Sequence, residues 1–241
     1  MEGSMMKNAE IPGEPQSWRT GDARETRTAA TAGRARIAII EDDERMRQSL
    51  VFELSTAAFA VTAYSCAEEL LDAAADGKEF DCVVADICLP GMNGLQLQEA
   101  FNRIARYASI LFITGHGDLS LGMRAMRNGA VDFLEKPVDD EVLVSSITRG
   151  VSLSRKLRAE QFERTELEQL QRSLTSRESE VFALVVSGLL NKQVGAQLGT
   201  TERTIKAQRA RVMAKMGADS LADLVRMAGI LEIHSPARAA R

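Results

Sequence analysis

Four short strand-like runs that each stop at a chemically active side chain constrain this chain more than anything else in it. Ile37–Ile40 runs into Glu41-Asp42-Asp43, Asp81–Ala85 into Asp86, Ile110–Ile113 into Thr114, and Val131–Leu134 into Glu135-Lys136-Pro137. A fifth run, Val61–Tyr64, lies between the first two. The stretches between them, Met46–Leu54, Ala67–Ala75, Leu95–Arg106 and Leu121–Asn128, space their apolar residues as helices do. This alternation predicts an α/β module built on a doubly wound, five-stranded parallel sheet.

In such sheets ligands bind beyond the carboxyl ends of the strands. That rule gathers Glu41, Asp42, Asp86, Thr114 and Lys136 along one edge. Three carboxylates brought together repel unless a proton or a cation intervenes. A hard divalent ion with oxygen ligands relieves the repulsion, and Mg²⁺ keeps several waters beside one or two carboxylates. A hydroxyl and an ammonium nearby can hold the oxygens of a phosphoryl group. The set suits capture of a phosphoryl group by a carboxylate, giving an acyl phosphate. Asp86 is the expected nucleophile, because no adjacent acid competes with it and the turn-forming loop Leu89–Gly94 follows.

Charge divides the chain. Residues 35–150 hold 10 basic and 19 acidic side chains, a net of −9, whereas residues 174–241 hold 10 and 6, a net of +4. A basic end behind an acidic module invites a nucleic-acid partner. Apolar runs fall far short of the roughly 20 residues a membrane span needs. The N-terminus lacks the apolar stretch of a secretory leader. Three cysteines (Cys66, Cys82, Cys88) without clustered spacing argue against a disulfide framework or a zinc site. The expectation is a cytoplasmic protein with reduced thiols and no membrane partner. Cys82 and Cys88 read as small buried apolar side chains. Residues 1–34 show no periodicity and read as a disordered tail, with Trp18 exposed in it. Residues 151–173 read as a helical linker. An apolar stripe of Ile147, Val151, Leu157, Leu167, Leu170 and Leu174 slips register near Phe162, which fits either an ordinary connector or a dimer-forming signalling helix.

The basic end, 174–241, reads as an all-α module of four helices. Thr175-Ser-Arg-Glu178 is a capping box opening a helix that ends near Gly188. Asn191 is placed as the cap of a short helix, Lys192–Leu198. After the turn Gly199-Thr200-Thr201, Thr201 caps a helix over Glu202–Met216, with Gly217 behind it. Ser220 opens a last helix, Leu221–Ile230. Two helices joined by a short glycine-containing turn form a helix-turn-helix pattern. Ile205, Val212 and Met216 fall on one face of the third helix and must pack inward. Arg203, Ala207, Ala210 and Ala214 lie opposite, flanked by Lys206 and Arg211, with Arg209 at the boundary and Thr201 at the entry. Small alanines between cations let a helix approach a major groove while Lys and Arg meet phosphates or guanines.

At these residues the chain resembles two known domains. Ile-Ile-Glu41-Asp42-Asp43, Asp86-Ile-Cys-Leu-Pro-Gly-Met-Asn-Gly, Phe-Ile-Thr114-Gly-His-Gly and Asp-Phe133-Leu-Glu-Lys136-Pro, in that order, resemble the receiver domain of two-component response regulators across residues 35–150. Leu174-Thr-Ser-Arg-Glu and Gln197-Leu-Gly-Thr-Thr-Glu-Arg-Thr-Ile-Lys resemble the LuxR-type four-helix domain over about residues 172–231. Together they resemble the NarL/FixJ class. The resemblance implies a flavodoxin-like receiver in which a partner histidine kinase phosphorylates Asp86. It implies Mg²⁺ held by Glu41, Asp42, Asp86 and the backbone carbonyl of Cys88. Glu41/Asp42 is preferred to Asp42/Asp43 because Arg47, six residues after Glu41, matches the family's spacing. Thr114 and Lys136 would take phosphoryl oxygens, and Phe133 would be the aromatic switch. Implied partners are the sensor kinase, double-stranded DNA, RNA polymerase and, on phosphorylation, a second copy of the chain; a new dimer and a released DNA-binding domain both remain open. His116 reads as an exposed loop histidine. Ala207 and Gln208 replace the family's commoner Val and His, and Gly195 stands where better helix formers are usual, at a cost of about 0.5–1 kcal/mol. An aspartyl-phosphate hydrolase would need a second carboxylate two residues after its nucleophile, where Cys88 stands, so the chain is not expected to be an enzyme.

Overall fold

The computed structural model describes residues 33–57, 59–105, 107–115 and 119–233. The expectations for residues 1–32, including Trp18, and for His116 lie outside the described residues. Five strands, β1 (Arg36–Ile40), β2 (Ala60–Tyr64), β3 (Cys82–Asp86), β4 (Ser109–Thr114) and β5 (Asp132–Glu135), form one parallel sheet in the order β2-β1-β3-β4-β5. Helices α1 (Glu44–Thr56), α2 (Ala67–Ala75), α3 (Gly94–Ile104) and α4 (Leu119–Arg127) connect them.

Alternation along the strands builds two cores. Ala38, Ile40, Val83, Ala85, Ile110 and Phe112 face α2, α3 and α4, where Leu70, Leu97, Phe101 and Ala125 cover them. Ile37, Ile39, Cys82, Val84, Leu111 and Ile113 face the other way, against Leu50 and Leu54 of α1 and Leu143, Ile147 and Val151 of the helix after β5. A sheet covered on both faces needs such continuous apolar strands.

That last helix, α5, runs unbroken from Asp140 to Arg172, 33 residues, or about 50 Å at 1.5 Å per residue. It crosses the expected boundary at residue 150 without a break. The slip in its apolar stripe has a cause: the helix serves two cores. Ile147 and Val151 pack on the sheet, while Leu167 joins the core of the C-terminal module, about 200° further round the axis at 100° per residue. Leu157 and Leu170, read into the same stripe, are exposed.

The C-terminal module comprises α6 (Ser176–Val186), α7 (Asn191–Gln197), α8 (Glu202–Met216) and α9 (Leu221–Ile230). Phe182, Val185, Val194, Ile205, Val212, Met216 and Leu224 form its core. Thr175 and Glu178 close the expected capping box, Thr201 accepts from Thr204 N–H at 3.2 Å, and Ser220 accepts from Asp223 N–H. The cap at α7 differs: Asn191 is already inside the helix and Leu190 is the cap residue, its N–H bonded to Gln193 Oε1 at 2.8 Å.

Candidate functional site

The strand order reverses at β1, so β1 and β3 are neighbours whose carboxyl ends open a crevice. In the β1–β3 pairing, Ile40 lies opposite Ala85, which sets Glu41 and Asp86 side by side. Thr114 ends β4 and is fully buried. Lys136 follows β5, its N–H donating to Thr114 O at 2.7 Å, and the Lys136–Pro137 peptide is cis.

The edge therefore assembles as the strand ends predict. Lys136 Nζ lies 2.6 Å from Asp86 Oδ2 and 2.8 Å from Glu41 Oε2. The other Asp86 oxygen accepts from Cys88 N–H at 2.8 Å. Glu41, Asp42 and Asp86 bring one oxygen each within 4.8 Å of one another, with Glu41 and Asp86 buried and Asp42 exposed. Burial raises the Glu41 carboxyl above the ordinary range against the pull of Lys136. Burial alone would lower the Lys136 ammonium, but its hydrogen bonds to Asp86 and Glu41 outweigh that and raise it. One ammonium facing three carboxylates leaves a surplus of negative charge on hard oxygen donors, which fits a divalent cation.

Asp43 is committed elsewhere. It caps α1, accepting from Met46 N–H at 2.8 Å, and that bond holds its carboxyl below the usual range. Arg47 donates to the backbone carbonyls of Glu41 at 2.7 Å and Asp42 at 3.2 Å, fixing the turn that presents both acids. Phe133 is half-buried, its ring against Gly122 of α4. Cys82 is buried, which pushes its thiol up to about 12, but Cys88 is exposed. The reading of Cys88 as a buried apolar side chain is corrected: it follows the strand, in the loop where the chain leaves the sheet.

At the other end of the molecule, α8 turns Ile205, Val212 and Met216 inward and leaves Thr201, Arg203, Lys206, Ala207, Ala210, Arg211 and Ala214 exposed. Arg209 is half-buried and lies 3.5 Å from Asn191 Oδ1, a partner that periodicity along α8 does not reveal. Lys215 bonds Glu178 Oε2 at 2.7 Å and Ser173 O at 3.0 Å, tying α8 to the capping box of α6 and the end of α5. The Lys215 bond, with the Thr175 N–H, holds the Glu178 carboxyl down to about 2. Gly195 is not a tolerated weakness. A Cβ there would stand 2.9 Å from Thr200 O, so glycine lets α7 press on the turn that aims α8.

Comparisons with known proteins agree with this architecture. The response regulator receiver domain matches residues 37–148, and the family of bacterial regulatory proteins of the luxR type matches residues 172–228. Nodulation protein W of Bradyrhizobium diazoefficiens is 42% identical over 200 residues, covering 83% of this chain and 88% of that protein. Transcriptional regulatory protein FixJ of Azorhizobium caulinodans is 38% identical over 192 residues, 79% of this chain and 90% of the relative. Among solved structures, the response regulator StyR superposes with a TM-score of 0.71 at 37% identity, covering 81% of this chain and 98% of the other. Full-length FixJ from B. japonicum gives 0.51 at 38% identity, with 82% and 97% covered.

Proposed function

This chain belongs to the two-component response regulators of the NarL/FixJ class and is a DNA-binding regulator, and from that premise we propose that phosphoryl transfer to Asp86 sets its activity. The observation that carries the reading is the Lys136 ammonium held between Asp86 and Glu41 at the strand edge, in one chain with a helix that exposes Arg203, Lys206 and Arg211.

The proposed division is a receiver over 35–150, a helical linker over 151–173 and a DNA-binding module over 174–241. An oxygen of Asp86 attacks the phosphorus of a phosphohistidine on a sensor kinase; the new O–P bond forms as the N–P bond breaks, and the imidazole leaves. Glu41, Asp42, Asp86 and the Cys88 carbonyl would hold Mg²⁺, which when bound offsets charge on the transferring group. Lys136 takes one phosphoryl oxygen and the Thr114 hydroxyl another. Phe133 then follows Thr114, biasing the receiver between two populated arrangements. The arrangement favoured by the phosphoryl group pairs two copies, so that two α8 helices read half-sites about one turn of DNA apart. Thr201, Arg203, Lys206, Ala207, Arg209, Ala210 and Arg211 form the reading surface, with most contacts to phosphate. The bound protein would act on RNA polymerase in the cytoplasm. Among the described residues no helix is long and apolar enough to cross a membrane. Asp86 is modified in the cycle, and turnover of a separate substrate is not expected.

The test is intact-mass measurement after incubation with a small-molecule phosphodonor. One phosphoryl group should appear on the parent with Mg²⁺, and none on Asp86→Ala or in the presence of a chelator. Equal incorporation into Asp86→Ala would place the acceptor elsewhere.

A further inference from the structure

Gln98 sits where α3 calls for an apolar residue. It shares the inward face of that helix with Leu97 and Phe101 and is completely buried. Burying an amide is costly unless its polar atoms are bonded. Gln98 makes one such bond, Nε2 donating to the backbone carbonyl of Ala125 at 3.1 Å, while its Oε1 has no partner among the described residues. The amide orientation is set by that acceptor, since a flipped group would turn oxygen toward oxygen.

The Ala125 carbonyl also closes α4. It accepts from Ala130 N–H at 3.0 Å, beside a bond from Gly129 N–H to Met126 O at 3.0 Å. Gln98 thus ties the C-terminal end of α4 to α3. Earlier in α4, Gly122 lies against the Phe133 ring: a Cβ there would stand 3.0 Å from Cδ1 and 3.1 Å from Cε1. One part of α4 is bonded across to its neighbour, and another rests on an aromatic ring. An apolar residue of the same shape at position 98 would leave no unpaired oxygen and cost little. What the amide adds is a directional tie to one carbonyl.

We propose that Gln98 is a positioning residue that pins the C-terminal end of α4 to α3 in the unphosphorylated receiver, so that movement of the Phe133 ring swings α4 about the Ala125 carbonyl. The proposal rests on the reading of Asp86 and Phe133 given above. It assigns Gln98 to the restraint that phosphorylation must overcome.

The experiment compares the full-length parent with Gln98→Met, which keeps the side-chain length and removes the donor. Amide hydrogen exchange, sedimentation and phosphoryl incorporation are followed with and without acetyl phosphate and Mg²⁺. Without the donor, exchange over residues 126–130 should be roughly 2- to 10-fold faster in the variant, the loss expected for one neutral hydrogen bond. Exchange in β3 and β4 and phosphoryl incorporation should stay at the parent level, and self-association without donor should rise. Gln98→Leu, which also lacks a donor, should behave alike. Parent-level exchange and association in both variants would overturn the pin. So would protection lost throughout the receiver in both, which would make Gln98 a packing residue only. A parent that takes up no phosphoryl group refutes the reading of Asp86, while the donor-free exchange comparison still decides the pin.

Discussion

The two candidate sites of this molecule are built in opposite ways. The acidic edge draws Glu41, Asp86, Thr114 and Lys136 from the ends of four strands, and the ion pair joining Lys136 to Glu41 spans 95 positions of sequence. The proposed DNA-facing surface lies on one helix, α8, from its cap at Thr201 to Ala214. A site of the first kind depends on sheet register, since a one-residue slip would turn its neighbours to the opposite face. One of the second kind depends on the phase of a single helix and on what anchors that helix. Substitutions should therefore act on one module and spare the other.

The largest effect is expected at Lys136. Lys136→Met leaves Glu41 and Asp86 without their shared cation, which should lower receiver stability by on the order of 3 kcal/mol, with Mg²⁺ restoring part of it. Calorimetry that resolves two transitions should show the α6–α9 transition unmoved; a shift of both together would mean that the modules unfold as one unit.

Gly195→Ala is the sharpest probe of the second module, because two principles predict opposite signs. Helix propensity alone gives a gain of about 0.5–1 kcal/mol. The 2.9 Å approach of a Cβ to Thr200 O predicts a loss instead, of about 1–3 kcal/mol. Thermal melts should show a lower midpoint and weaker DNA binding; a higher midpoint would mean that the turn yields.

Lys206→Ala should reduce the slope of log affinity against log salt by about one and weaken binding to all sequences alike if the side chain meets phosphate. Fluorescence anisotropy over a salt series measures it. An unchanged slope with relaxed sequence preference would move Lys206 to a base edge.

The smallest effect is a pH dependence confined to the C-terminal module. The ordinary carboxyl value for Glu178 is 4.5 and its folded value is about 2, a depressed acid. Its stabilisation is complete above about 4.5 and disappears as pH falls through about 2. Acid unfolding followed by circular dichroism should lose that dependence in Lys215→Met. An identical acid profile would show that Lys215 does not hold the carboxylate.

Much of this was legible in the sequence, and the exceptions share a cause. The order of five strands follows from the apolar runs, and the residues brought to the acidic edge follow from where those runs stop. Three strand ends shift by one position because Asp86, Thr114 and Glu135 continue the strand backbone although they are not apolar. The inward stripe of α8 was readable because one helix fixes it. Features set by packing between distant segments were not. Gln98 looks like a surface residue until α4 covers it. The stripe of α5 looks broken until it is seen to serve two cores. Gly195 looks like a defect until Thr200 is placed against it, and Cys88 looks like a small buried apolar side chain until the chain is seen to leave the sheet after Asp86.

On the proposed reading, one chain couples an event at Asp86 to reading by α8. Selection of DNA fragments from a genomic library, run with and without acetyl phosphate and Mg²⁺ on the parent and on Asp86→Ala, tests it most directly. Enrichment of the same fragments should rise with the donor for the parent and stay flat for the variant. Equal enrichment in all four conditions would leave α8 as a DNA reader and contradict its control by the receiver.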